Sequence, residues 1–180
     1  MSYPWYEILT QNTKNLQQGD FIPNCPILIP PSNIKSEEEM EIEVNEIDSI
    51  ILSQSCDLVN GKIEIVLVCP YYTLSTFISN LPEDQQGKKA IRKIIDNLRK
   101  GHLPGYHLLD KDQNIEAFSD YQVVDFRNVY GIQFKSLTQI SMEMRERIRL
   151  LPPYREHLSQ AFARYFMRVG LPQDIEVEGY

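Results

Sequence analysis

The run Ser49–Asp57, Ser-Ile-Ile-Leu-Ser-Gln-Ser-Cys-Asp, carries an apolar stretch into two hydroxyls, a thiol and a carboxylate: Ser53, Ser55, Cys56 and Asp57. Nucleophiles and anion-holding hydroxyls are often displayed at strand ends, on loops held by a rigid scaffold. Two readings follow. In one, Cys56 is a nucleophile and His107 or His102 its base, since a thiolate needs a nearby base or positive charge. In the other, Ser55 and Asp57 bond the local backbone and Cys56 fills a small buried space. Cys25 and Cys69 each lie beside a proline in an apolar run and read as buried, inert thiols. Three widely spaced cysteines argue for reduced thiols rather than a disulfide scaffold. The three histidines, His102, His107 and His157, show no His-x-x-x-His spacing, and no Cys-x-x-Cys occurs. No metal and no cofactor is expected on that pattern.

A second chemistry comes from clustered cations. Lys88, Lys89, Arg92, Lys93, Arg99 and Lys100 stand against a single acid, Asp96, in residues 87–100. Arg164 and Arg168 are four apart near the end of the chain, hence neighbours on a helix surface. Such a face meets RNA phosphates or an acidic protein surface, or is simply solvated. It could also pair with the acidic stretch Glu37–Glu46. Arg127, in Asp125-Phe126-Arg127-Asn128, is either a catalytic cation near Ser53–Asp57 or half of a structural Asp–Arg pair.

These residues need elements to hold them. The 180-residue chain is 42% hydrophobic, enough for one cored domain with a helical appendage. The net charge of −7 is uneven: residues 1–60 hold two basic and ten acidic side chains. An acidic chain lacks a global field for nucleic acid, so any such contact must be local. No apolar run reaches the roughly 18 residues of a membrane span, and the start has no secretory pattern; a cytoplasmic address is expected.

Trp5–Leu16 reads as a short helix stopped by Gly19-Asp20. Phe21–Ile29, with Pro23 and Pro26, reads as an edge strand. Pro30–Asn45 reads as an exposed loop. Ile47–Leu52 and Ile63–Val68 are β-branched strands joined through Asn60-Gly61. A helix start is expected near Ser79–Pro82. Ala90, Ile91, Ile94, Ile95 and Leu98 place one face on a helix over 87–100, stopped by Gly101. Tyr106–Leu109, Tyr121–Phe126 and Val129–Phe134 read as strands and Ser141–Leu150 as a helix. A last helix opens with Pro153 as its first residue and reaches Val169, with Leu158, Ala161, Phe162, Tyr165 and Phe166 on its apolar face.

The order of these elements resembles the PemK/MazF-like growth-inhibitor fold, an SH3-like β-barrel with helices. The likeness rests on Gly19-Asp20-Phe21 opening an extended segment, a glutamate-rich loop, Ile50-Ile51-Leu52-Ser53, Ile65–Pro70 leading to Thr73, and Val123–Arg127 late in the chain. It covers roughly residues 19–137. It implies an α+β fold: a small, mostly antiparallel SH3-like barrel with an inserted helix over 87–100, an N-terminal helical segment (1–18) and a C-terminal helical appendage (138–180). The chain also resembles bacterial proteins of unassigned role carrying the Ser-Gln-Ser-Cys-Asp and Pro-Tyr-Arg-Glu-His runs, which implies no activity.

Family members are commonly endoribonucleases of toxin–antitoxin pairs, using an arginine before the second strand and a hydroxyl after the third. Thr73 takes the hydroxyl position, but residues 21–48 hold one basic side chain, Lys35. Cleavage through a phosphorane-like transition state needs cationic stabilisation. The first expectation is therefore a binding or regulatory component of a bacterial stress or defence system, acting on a protein partner or a second copy of itself, with RNA as a further partner. The alternatives are an endoribonuclease built on Ser53, Asp57, Thr73 and Arg127, and a Cys-dependent hydrolase built on Cys56 and His107.

Overall fold

In the computed structural model, residues 3–10, 15–31 and 42–167 are described. They form a mixed α/β fold of eight strands and five α-helices in which every named strand pairing is antiparallel. Strands β2 (Phe21–Ile29), β3 (Glu43–Ile51), β4 (Ile65–Thr73), β6 (Gln122–Asp125) and β5 (Tyr106–Leu109) lie in that order, and β7 (Tyr130–Gln133) joins β4. Among the described residues these pairings do not close into a barrel.

The nine-residue β4 organises the sheet. Ile65–Val68 pair with β7, Val68–Pro70 with β3, and Tyr71–Thr73 with β6. Its Val66, Val68 and Cys69 are fully buried, as expected for a strand with partners along its whole length. Strand β2 lies at the sheet's edge, as its prolines require. A register shift between Ile22 and Cys25 absorbs Pro23. Asn24 there takes φ 49°, a left-handed conformation Asn tolerates, and its N–H donates to Asp48 Oδ1 at 2.9 Å.

Corrections fall in three places. Residues 6–10 of the expected N-terminal helix are strand β1 (Tyr6–Thr10), and residues 146–150 of the expected late helix are β8 (Glu146–Leu150). These two pair with each other, Tyr6 opposite Leu150 and Thr10 opposite Glu146. The physical reason is Asp20, wholly buried beside them. Arg149 Nε and a terminal nitrogen donate to its two oxygens at 2.5 and 3.0 Å, and Arg147 Nε lies 3.0 Å away. The alternating Arg147 and Arg149 turn to one side and share the Asp20 carboxylate there, which a helical reading of Ser141–Leu150 missed. The second correction concerns Glu43–Asn45, expected in a loop and found in β3. Glu37–Glu41 and Lys35 lie outside the described residues. The third concerns Ser79, which ends helix α2 (Leu74–Ser79); the start expected near Ser79–Pro82 is a single 3-10 turn, Glu83–Gln85, opening after Pro82.

Helix α3 (Lys88–Arg99) lies where its periodicity put it, and Gly101 follows at φ 67°, the left-handed conformation that glycine allows after a helix. Helix α4 (Phe134–Glu143) precedes β8, and α5 (Tyr154–Phe166) closes the described chain. Pro153 stands just before the first residue of α5, one position earlier than expected.

The α5 helix docks on the main core through Leu158, fully buried, and Ala161, Phe162 and Tyr165, the last two against Phe126. Trp5 stacks on Tyr154 with ring centres 3.5 Å apart, tying the start of the described chain to the same helix. Phe166, assigned to the apolar face, is 60% exposed, and Val169 and Arg168 lie outside the described residues.

Candidate functional site

The Ser53–Asp57 segment leaves β3 and immediately forms a five-residue helix, α1 (Ser55–Val59), before Gly61 turns the chain at φ 60° into β4. Its hydroxyls are spent on architecture. Ser53 Oγ accepts the Leu67 N–H at 2.8 Å, and Ser55 Oγ accepts the Gln18 N–H at 3.1 Å. Gln18 Nε2 in turn donates to the Leu52 carbonyl at 2.6 Å, so the segment is strapped to residues preceding β2. Cys56 departs from expectation: it is exposed, not packed in a buried space. Its Sγ faces Gln54 Oε1 and Asp57 Oδ1, each at 3.7 Å. By contrast Cys25 and Cys69 are fully buried, and burial pushes the Cys25 thiol up to about 11 and Cys69 well above its usual range.

The remaining members of the expected catalytic sets are dispersed. Thr73 caps α2, accepting from the Thr76 N–H at 3.1 Å and donating to Thr76 Oγ1 at 2.8 Å. Arg127 is held by Asp125 through two bonds, Nε to Oδ1 at 2.9 Å and a terminal nitrogen to Oδ2 at 2.8 Å. Its guanidinium lies over the Tyr106 ring, 4.4 Å from the centroid. This is the structural Asp–Arg pair.

A cleft of about 350 Å³ opens at Cys56, walled by Gln18, Gln54, Ser55, Arg155, Glu156, Ser159 and Gln160. Neither His107, His102 nor Arg127 lines it. Its cation is Arg155, which donates to Glu156 Oε1 and to Gln17 Oε1. The thiol therefore has a guanidinium across its cleft but no imidazole.

His107 lines a second cleft, of about 310 Å³, between the end of α3, β5 and α5. Its polar wall includes Arg99, Lys100, Tyr106, His107, His157, Gln160 and Arg164; Leu98, Pro104, Leu108 and Ala161 supply apolar surface. Arg99, Lys100 and Arg164 were singled out in the sequence as binding cations and His107 as a catalytic base, and the fold brings them together. His157, weighed in the sequence only as a metal ligand, and Gln160 were not assigned to a site, although 157, 160, 161 and 164 share one helical face by spacing. Gln160 borders both clefts.

Electrostatics in the second cleft are one-sided. No carboxylate lines it. Asp96 stands one helical turn back, bonded to Arg99 at 3.1 Å and Lys100 at 2.6 Å, and those bonds hold its carboxyl below the usual range. His107 stacks on the buried Phe126. Burial, and secondarily the charge of His157, push its pKa down to about 4. Lys88, Lys89, Arg92 and Lys93 continue the basic surface along α3; all are exposed, and none has an ion pair with another described residue.

Among the described residues no group of three or more His, Cys, Asp or Glu is placed to hold a metal, and no helix is long and apolar enough to cross a membrane. Comparison with protein-family models and with curated proteins finds no significant match.

Proposed function

We propose that this protein is a binding and regulatory component that engages RNA through the basic surface of α3, with a bacterial stress or defence system as its setting and the cytoplasm as its address. The observation that carries this reading is the row Lys88, Lys89, Arg92 and Lys93, exposed and without an ion pair among the described residues, continuing into the cation-walled cleft at Arg99 and Lys100. Phosphate recognition needs unneutralised cations on a local surface, which displace the counterions condensed on the nucleic acid. The setting, and an SH3-like barrel as the ancestral form of the sheet, come from the PemK/MazF-like resemblance alone.

The geometry favours neither enzyme alternative. Ser53, Thr73 and Arg127 each have a structural partner, and Cys56 and His107 line different clefts.

The test is fluorescence anisotropy with a labelled single-stranded RNA of about 20 nucleotides, over a salt series, using the intact chain. A K88E/K89E/R92E/K93E variant is expected to lose at least tenfold in affinity and to flatten the salt dependence, with the circular dichroism spectrum retained. Equal affinity for wild type and variant would sink the proposal.

A further inference from the structure

We infer that the cleft between α3, β5 and α5 is a binding site for a nucleoside monophosphate group, whether a free mononucleotide or the phosphorylated end of an RNA chain. The site stands on its own wall residues and does not require the α3 surface to bind RNA.

Size comes first. At about 310 Å³ the cleft sits at the lower end of ordinary small-ligand sites, suited to one nucleotide and too small for a folded partner. Charge comes second. Arg99, Lys100 and Arg164 reach it from two helices with no acid in the lining, so a dianion is met from both sides. Arg99 and Lys100 each give Asp96 one contact and keep further donors; Arg99 is 72% exposed at its side chain. Guanidinium groups suit phosphate because they present paired donors to two oxygens at once.

The imidazoles point the same way. His107 has no hydrogen-bond partner among the described residues, although it is partly buried in the wall. The ring packs on Phe126, and its nitrogens, not among the sealed unpartnered atoms of the described residues, are open for a ligand oxygen or a ligand N–H to take the place of water. His157 and Gln160 offer exposed polar groups on the facing helix. The apolar stretch of Leu98, Pro104, Leu108 and Ala161 gives a sugar or base a surface, which inorganic phosphate would leave uncovered. A phosphate with an organic moiety fits this mixture better than a bare anion.

Calorimetry on the intact chain with AMP, UMP, adenosine and inorganic phosphate tests the inference. Both monophosphates are expected to bind, adenosine not at all, and phosphate at least tenfold more weakly than AMP. An R164A variant, and separately an H157A variant, should lose at least tenfold for AMP. Both side chains are exposed, so the fold should survive, as circular dichroism would verify. The two sources separate in a second arm, which compares a short RNA with and without a terminal phosphate. A tenfold phosphate-dependent gain that R164A abolishes supports the RNA end; no gain, with AMP still bound, supports the free nucleotide. Failure of every phosphate to bind, or AMP binding unchanged in both variants, overturns the site. K88E/K89E/R92E/K93E removes no wall residue and, in about 0.15 M salt where charge is screened within ~8 Å, should lose less AMP affinity than R164A does, so losing one proposal does not mimic losing the other.

Discussion

Cys56 faces solvent while Cys25 and Cys69 are sealed under β-sheet, so thiol chemistry reads the fold one residue at a time. A maleimide added to the native protein should label one thiol per chain, and Cys56→Ser should abolish that labelling. Labelling of Cys25 and Cys69 should appear only with denaturant. Fast native labelling of three thiols would contradict the packing. His107 supplies a second test at this scale. Its folded pKa of about 4 lies below the usual 6.5, so the unfolded chain binds more protons between those values. The resulting stabilisation is complete above about pH 6.5 and is lost as pH falls toward 4. In the free protein the His107 ring resonance should titrate near 4, and His107→Phe should flatten stability over pH 4–6.5. A His107 midpoint near 6.5 would show the ring to be solvated.

Among the elements, β8 carries the heaviest electrostatic commitment. Asp20 is the counterion for two buried guanidiniums, Arg147 and Arg149, and Arg149 also donates to the Asn15 carbonyl at 2.9 Å. Removing one partner of a buried charge cluster strands the others and costs about 3–5 kcal/mol. Asp20→Asn should therefore lower stability on that order, measured as a shift in the urea midpoint at constant slope. A loss below about 1 kcal/mol would mean that water reaches these arginines. The same cluster explains what the sequence could not disclose. Arg147 and Arg149 fall in a stretch that reads as helix until a carboxylate 127 positions before Arg147 is placed beside them, and no local pattern contains that fact. Helix α3 was legible because its evidence is local: five apolar residues on one face and a glycine stop. The candidate cleft was legible in pieces only. Arg99, Lys100, His107 and Arg164 were visible as chemistry, but their meeting depends on how α5 docks over Phe126.

At the scale of the whole molecule, β1 pairs with β8, and Asp20 bridges to Arg149 across the same junction. A ribosome releases Tyr6–Thr10 long before Glu146–Leu150 exists to meet it. During that interval Ile8 and Leu9 sit on an unsatisfied strand edge, the kind that recruits other chains. The strand pairings of the large sheet around β4 reach no further than Gln133, although its packing still awaits Leu137, Leu150 and Leu158. Completion then arrives late and all together: β8 supplies β1 with hydrogen bonds, Asp20 with its guanidiniums and α5 with its seat. Both clefts are walled by α5 and come into being only at that last step, so neither exists on an unfinished polypeptide.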